Sequence, residues 1–518
     1  MKKSFVLLIS LLVLAVGVVC YGQTTLLSER DQIEFAENVI YGDKSIVDGV
    51  TVEMENHYEN QLFWNSTYVI GEKPQIHTDY KFYHSKQNEN DYSYRGSMYF
   101  NADYYNRLEW IDWHENSEDV PKEGMALLMK ELAEETQPGE EREKLFFLKD
   151  YMDYYAFSVD LAPAYDSEDD KPRWNINLNE YELQSYLASG EKNNYPKEAI
   201  EQTKEELEWL NAFHEFFKIP VMDTEAAVLS LRKDETGTVT GWGMATAGMG
   251  TGTGEAAIPT LPEGKEYDSF YFSTESVVND KECYFTFHPR TENGELVDIS
   301  LIPGGYGIYY FPFDVQEQEI YPEKLAMVYA LDPTIQVYNL SLDERNGKLL
   351  LFTIEEGLIY LSVINVETMA LVEKFEIGTE ESGIGFHKIY DDYMVVDANA
   401  IVVFEIDADG NYKKVLSAPR EKLDIYKVDR EGATYMPNWD TEFDWNGETL
   451  VFANYIFNEE HYPEPSFYVA AMDETGLVYL ASYQSSLRST HSYETDGEYA
   501  YQYSHVRPDR EQVKVRWK

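Results

Sequence analysis

The chain has 518 residues, and 94 acidic residues against 42 lysines and arginines give it a formal net charge of −52. This charge argues against nucleic acid as a partner, because neutralising phosphates requires a basic patch, and equally against anionic lipid headgroups. It is compatible with a protein, a peptide or a neutral glycan. Because 43% of the residues are apolar and 15% are aromatic, the composition predicts a large folded core and not an acidic disordered chain.

The chain begins with a basic and then apolar segment. Lys2 and Lys3 precede an apolar run from Phe5 to Tyr21. This pattern predicts a signal peptide or an uncleaved transmembrane anchor in residues 1–22. The run is short for a membrane span of about 20 residues and long for a signal-peptide core of about 7–15, so both alternatives stay open. We expect residues 23–518 to lie outside the cytoplasm, anchored to the cell membrane by this segment or secreted after its cleavage.

Two amphipathic helices are predicted, near residues 120–136 and 196–218. In the first, one helical face carries Met125, Leu128, Met129 and Leu132, and Pro138-Gly139 ends the segment. The second begins at Pro196 and ends before Pro220. Both helices are predicted to pack on a sheet.

A glycine-rich segment follows the second helix. Residues 112–146 and 233–266 have the composition of boundaries, and we predict a long flexible surface loop over 241–266. The glycines at 248–254 suggest a phosphate loop. Such a loop needs a helix directly after it, and Pro259 and Pro262 forbid one, so the sequence does not predict nucleotide binding.

The rest of the chain is dominated by strand-like runs rich in Val, Ile, Tyr and Phe. The clearest runs are Leu349–Ile354, Leu358–Val366, Tyr393–Val396, Ile401–Ile406, Thr449–Tyr455 and Phe467–Met472. Four-residue turns opened by Asp or Asn recur between strands, at Asp234–Gly237, Asn365–Thr368, Asp407–Gly410 and Asp473–Gly476. The opening side chain accepts hydrogen bonds from the backbone ahead of it, and a glycine closes the turn in a left-handed conformation. The pattern predicts hairpins.

Three segments that contain such turns align over their full length: Leu361–Val372, Val403–Val415 and Val469–Tyr479. Their pattern resembles the outer hairpins of β-propeller blades in exported proteins of Gram-positive bacteria, and the resemblance covers roughly residues 220–518. It implies a mainly β, β-propeller-like fold of about six to eight blades over residues 23–518, with the two helices as insertions. It implies no ligand. A generic antiparallel sheet protein with ordinary hairpins is the alternative.

A closed ring of blades makes a further prediction about the two ends of the chain. Tyr499–Trp517 is too short to form a blade by itself. We therefore predict that it pairs with an N-terminal strand near Val50–Tyr58, so that no long strand edge stays exposed.

Cys283 is the one cysteine beyond the leader, so the fold cannot contain an internal disulfide. We predict that it is a small buried apolar residue. A nucleophilic cysteine needs a nearby histidine, and His288 has the opposite strand parity.

Other motifs do not have the spacing of a site. Asp407–Asn411 lacks the glycine and glutamate positions of a calcium loop, and we predict a hairpin turn there. The histidines and one acidic group also lack the spacing of metal ligands. They are His77, His84 and His214, and the group Asp166, Glu168, Asp169 and Asp170. We therefore predict no catalytic, cofactor-binding or metal-binding residue.

These observations favour an exported, acidic, non-catalytic binding or scaffolding module of the cell envelope. The alternative is an extracellular glycan hydrolase that uses a carboxylate pair which the sequence does not single out among its 94 acidic residues. The oligomeric state is not predicted.

Overall fold

The computed structural model describes residues 2–30, 35–58, 62–71, 75–82, 98–105, 125–163, 176–193, 195–247, 250–263, 267–271, 274–279, 281–291, 293–314, 319–380, 383–426, 433–439, 441–458, 467–485, 494–495, 498–499 and 506–517. The chain divides into two compact units. The first combines Met1–Ser93 with Phe375–Lys518, and the second is Tyr94–Lys374.

Five α-helices are described: α1 (Lys2–Arg30), α2 (Met125–Glu135), α3 (Glu180–Asn193), α4 (Lys197–Phe216) and α5 (Glu421–Ile425). Helix α1 covers the segment predicted as a signal peptide or anchor. Across the described ranges, no helix is long and apolar enough to cross a membrane.

Helices α2 and α4 lie where the sequence predicts helices, whereas α3 was not predicted. Few of its residues are apolar, and Leu183 is buried. Its start carries a recognisable signal: Asn179 Oδ1 accepts a hydrogen bond from the N–H of Glu182 at 3.2 Å, which is N-cap geometry.

The strands before residue 380 fall into two groups. Those of the first unit are β1 (Phe35–Gly42), β2 (Thr51–Tyr58), β3 (Leu62–Val69) and β4 (Gln75–Phe82). The next group, whose last strand crosses the boundary between the units, is β5 (Met98–Tyr105), β6 (Glu141–Phe147), β7 (Ala156–Pro163), β8 (Ile176–Leu178), β9 (Ala226–Lys233), β10 (Val239–Ala245), β11 (Gly250–Gly254), β12 (Phe270–Tyr271), β13 (Thr274–Val278), β14 (Glu282–Phe287), β15 (Arg290–Thr291), β16 (Gly307–Asp314), β17 (Glu319–Ile320), β18 (Ala326–Ala330), β19 (Gln336–Asp343), β20 (Lys348–Glu355), β21 (Leu358–Asn365) and β22 (Ala370–Thr379).

The remaining strands return to the first unit. They are β23 (Phe386–Ile389), β24 (Tyr393–Asp397), β25 (Ala400–Ile406), β26 (Tyr412–Pro419), β27 (Ala433–Thr434), β28 (Glu442–Trp445), β29 (Leu450–Tyr455), β30 (Phe457–Asn458), β31 (Phe467–Asp473), β32 (Gly476–Ser485), β33 (Glu494–Thr495), β34 (Glu498–Tyr499) and β35 (Val506–Arg516). All six runs that the sequence singles out are strands.

The first unit stacks three antiparallel sheets. Their strand orders are β23-β24-β25-β26, β28-β29-β31-β32-β1 and β35-β2-β3-β4. The middle sheet buries Phe452 and Ala470 against the first sheet, and Val451 and Ala471 against the third. Successive residues of a strand point to opposite faces, so this near-continuous apolar sequence belongs to a sheet that is covered on both sides.

The predicted pairing of the two chain ends is confirmed within the first unit. Strand β2 pairs antiparallel with β35, with Thr51 opposite Arg516 and Met54 opposite Val513. Strand β1 pairs with β32 in the same way, from Phe35 opposite Ser485.

The second unit is built around a large sheet of order β17-β16-β14-β13-β5-β7-β8, with β18 also paired to β16. One face packs against the apolar sides of α2 and α4 and against the sheet β11-β10-β9-β6. The other face packs against the sheet β19-β20-β21-β22, where Tyr284 and Ile308 meet Leu349 and Leu351.

The recurring turns are hairpins, as predicted. Asn365, Asp407 and Asp473 each accept a backbone hydrogen bond through Oδ1, from Thr368, Asp409 and Thr475 at 2.9, 2.9 and 2.7 Å. The turns join β21 to β22, β25 to β26 and β31 to β32, in each case the last two strands along the chain in their sheet. The chain is therefore mainly β, with stacked antiparallel sheets that are consistent with a β-propeller-like fold. The number of blades stays a prediction.

The segment over 241–266 that is predicted as a flexible surface loop contains two strands in its first half. Residues 241–245 belong to β10 and residues 250–254 to β11, and the two strands pair antiparallel from Gly241 opposite Gly254. The glycines allow close packing: a β-carbon at Gly243 would lie 2.7 Å from Ser230 Oγ and clash with the carbonyl oxygen of Ala257. Glycine is needed there for space, because the segment after β11 lies directly on the hairpin.

Candidate functional site

The structure confirms that Cys283 is a buried core residue. It has no exposed surface, it lies opposite Phe311 of β16, and burial raises the pKa of its thiol. His288 contacts a different group, because its Nε2 lies 3.0 Å from the carbonyl oxygen of Val337. The thiol is therefore inert and the histidine has a structural contact.

The other motifs are also structural where they are described. Asp407 Oδ1 accepts hydrogen bonds from the backbone N–H groups of Asp409 and Asn411, both at 2.9 Å. His214 Nε2 lies 2.7 Å from the carbonyl oxygen of Phe157. His84 and residues 166–170 lie outside the described residues. Within the part of the chain that the structure describes, no group of three or more His, Cys, Asp or Glu residues could hold a metal ion.

A different feature, not predicted from the sequence, combines exposure with rigid support. We call it the Trp439 loop, residues 435–439 and 441 in the first unit, which precede β28. Asn454 of β29 is buried, and its Nδ2 donates to Asn438 Oδ1 at 2.8 Å and to Thr441 Oγ1 at 3.0 Å. The backbone N–H of Asn438 also donates to Thr441 Oγ1, at 2.9 Å. These bonds hold Asn438 and Thr441, on either side of Trp439, to the sheet.

The Trp439 side chain is exposed although it packs against the sheet. It is 60% exposed, and its ring centroid lies 6.3 Å from that of Phe386 and 6.5 Å from that of His387. Phe386 is buried in the core between the first two sheets of the unit. Burial lowers the pKa of His387 to about 4, so the imidazole is neutral at neutral pH. The indole therefore presents a surface that stays largely open to solvent.

An ion pair lies behind the same loop. Arg420 Nη1 donates to Asp397 Oδ1, and its Nη2 lies 3.8 Å from the sulfur of Met436 and 3.8 Å from Asp424 Oδ1. Asp397 ends β24, opposite Phe386. Burial raises the pKa of Asp397 to about 6, although the Arg420 guanidinium acts in the opposite direction. Within the described residues, no hydrogen bond reaches the buried Nε of Arg420.

The arrangement combines an apolar platform with polar groups. An exposed indole can stack on the apolar face of a ring, whereas the remaining donor of Arg420, Nε, is buried. The sequence signal was weak: Asn438-Trp439 lies in a short segment without strand periodicity, and nothing local indicates that Asn454 supports it.

Comparisons with known proteins leave the function open. No family model matches the chain, and no curated protein sequence matches it. Among solved structures, a Lactobacillus plantarum protein covers 52% of this chain and 84% of its own, at 10% identity and a TM-score of 0.23. A candidate 6-phosphogluconolactonase of Bacteroides uniformis covers 84% of this chain and 99% of its own, at 8% identity and a TM-score of 0.24. An oligogalacturonate lyase in complex with manganese covers 48% of this chain and 59% of its own, at 13% identity and a TM-score of 0.20. Likenesses with TM-scores this low carry no argument about activity.

Proposed function

We propose that this protein is an exported, acidic module of the cell envelope that binds a neutral glycan on Trp439. The proposal rests on one observation: the Trp439 side chain is 60% exposed, and its loop is hydrogen-bonded to the buried Asn454 of the sheet. Aromatic faces stack on apolar ring faces. A platform that is already ordered binds at a lower entropic cost than a mobile one.

The net charge of the chain favours a neutral ligand over an anionic one. The formal net charge of −52 disfavours anionic polysaccharides and nucleic acids, because long-range repulsion opposes their approach. A neutral glycan experiences no such repulsion.

The test of binding is native affinity electrophoresis in gels that contain one neutral polysaccharide each, with the protein from Gln23 onward. We expect at least one polysaccharide to retard the protein. Trp439→Ala should lower the affinity derived from that retardation by about tenfold or more, which corresponds to about 1.4 kcal/mol of binding free energy. Tyr195→Ala is the matched control, because Tyr195 is an exposed aromatic residue of the second unit. Equal retardation of Trp439→Ala and the unchanged protein would refute the proposal.

Export rests on the leader. Lys2 and Lys3 precede the apolar run Phe5–Tyr21, and the chain has no comparable later run. A reporter fused after Gln23 should be active outside the cytoplasmic membrane. A matched fusion in which Leu11 and Leu12 are replaced by Asp should stay inside, and cytoplasmic activity of the unchanged fusion would contradict export.

Glycan hydrolysis is the second candidate, because two carboxylates share Arg420. Asp397 is buried with a pKa raised to about 6, and Asp424 lies 3.8 Å from the same guanidinium. Glycosidases use two carboxyl groups that lie on either side of the scissile bond. If this pair is catalytic, release of reducing sugar should fall as pH rises above about 6 and disappear in Asp397→Asn. If the protein binds the polysaccharide and releases no reducing sugar, its function is binding and not hydrolysis.

A further inference from the structure

The sheet β11-β10-β9-β6 of the second unit has two edges of different character. Strand β11 forms one edge and β6 the other. In the described ranges, no strand pairs with the outer side of β11. Alternate residues of an edge strand direct their backbone N–H and C=O groups away from the sheet, so β11 offers these groups to an additional strand.

The β6 edge carries the residues that oppose strand addition. Its sequence begins Glu141-Arg-Glu-Lys144, and Arg142 and Lys144 form ion pairs with Glu135. Charged side chains on an edge strand discourage pairing with another chain.

The β11 edge lacks these features. Its sequence is Gly250-Thr-Gly-Thr-Gly254, without charge or proline, and its register with β10 is continuous. It is largely exposed. One edge of the sheet is therefore protected and the other is open.

The segment after β11 supplies two further elements beside the open edge. Ile258 lies over the glycines of β11, since β-carbons at Gly250 and Gly252 would lie 3.0 and 3.3 Å from its side chain. Ile258 is nevertheless 56% exposed. The side chain of Glu255, which directly follows the strand, is 70% exposed, and its Oε2 lies 3.9 Å from Arg232 Nε. The edge is thus bordered by an apolar side chain and a carboxylate.

We propose that β11 binds an extended, cationic peptide segment of another protein by strand addition. Backbone hydrogen bonds supply affinity in this mode, and alternate side chains supply specificity. An apolar side chain of the peptide would contact Ile258, and a basic one would approach Glu255. A second copy of this chain is the less favourable occupant, because each copy has a formal net charge of −52 and the copies repel each other.

The test uses the full chain and a fluorescein-labelled peptide of about eight residues in which Lys and Val alternate, a length that matches a typical strand. Binding is followed by fluorescence anisotropy. Two further peptides carry N-methyl groups on alternate residues, in the two possible phases. Only one phase removes the N–H groups that face β11, so we expect one methylated peptide to lose at least tenfold in affinity and the other to retain it within threefold.

Protein variants and a charge control complete the experiment. Thr251→Lys should weaken binding, and Thr251→Val, which keeps a β-branched side chain, should retain it. An analogue with Glu in place of Lys should bind more weakly. Three results would overturn the proposal: no binding of the unmethylated peptide, equal binding of both methylated peptides, or equal binding of the anionic analogue. Dimerisation of the full chain that Thr251→Lys abolishes would show that the occupant is a second copy instead.

Discussion

Val52 of β2 lies opposite Val515 of β35 in an antiparallel pair, although most of the sequence separates them. Both side chains are buried in the core between the middle sheet and the β35-β2-β3-β4 sheet. The C-terminal strand thus completes a sheet that begins near the N-terminus. The stability of the first unit therefore depends on the last residues of the chain.

Val515→Ala should lower the free energy of unfolding of the first unit by about 2 kcal/mol, because it removes buried apolar surface and leaves a cavity. Urea unfolding followed by tryptophan fluorescence measures the change. Lys514→Ala is the control: Lys514 is exposed on the opposite face of β35, and the expected change is within about 0.5 kcal/mol. Equal effects of the two substitutions would contradict the pairing.

Asn454→Ala should act on both stability and binding. It removes the two hydrogen bonds that Asn454 Nδ2 donates to Asn438 Oδ1 and Thr441 Oγ1, which costs about 1–3 kcal/mol. It also frees the Trp439 loop, so retardation by the neutral polysaccharide should weaken although Asn454 is buried beneath the loop. Thr441→Ser keeps the hydroxyl and should preserve binding. A variant that loses stability and keeps full affinity would show that the loop is ordered without Asn454.

Glu275 should make the second unit less stable as pH rises. Burial raises its carboxyl pKa from 4.5 to about 7, so the folded protein retains a proton that the unfolded chain has lost between these values. The free energy of unfolding should therefore fall between about pH 4.5 and 7. Glu275→Gln removes this contribution, and the melting temperature of the variant should exceed that of the unchanged protein more at pH 8 than at pH 5. Glu295→Gln, at an exposed position, should show no such difference between the two pH values.

Gly243→Ala should destabilise the β10–β11 hairpin. The added methyl group would lie 2.7 Å from Ser230 Oγ and 3.0 Å from Pro259 Cδ, and such overpacking costs about 1–3 kcal/mol. Hydrogen exchange of β10 and β11 should become faster. Thr253→Ala, on the exposed strand β11, is the control. If Gly243→Ala changes neither the stability nor the hydrogen exchange of β10 and β11, the segment is the flexible loop that its composition suggests.

Local chemistry was sufficient for the hairpins. Asp407 and Asp473 bond to backbone groups two residues ahead, so the residues that make each turn are neighbours in sequence, and the apolar runs beside them are long enough to identify as strands. The pairing of the chain ends also followed from the sequence, because a short terminal strand needs a partner.

Other features depended on residues far apart in the chain. The segment 241–254 has the composition of a flexible loop, and only the approach of Ala257 to Gly243 and of Ile258 to Gly250 and Gly252 shows that these glycines provide space. Helix α3 has few apolar residues, so no apolar stripe marks it in the sequence, and the cap at Asn179 is its local signal.

The sequence by itself determined the acidic surface, the basic and apolar start of the chain, the strands and their turns, since each depends on composition or on neighbouring residues. Only the tertiary structure decided which exposed aromatic residue is held rigidly. Trp439 is one of 9 tryptophans, and its support comes from Asn454 and Phe386 on different strands. The same holds for the open edge at β11, because an edge exists only once the other strands of its sheet are in place.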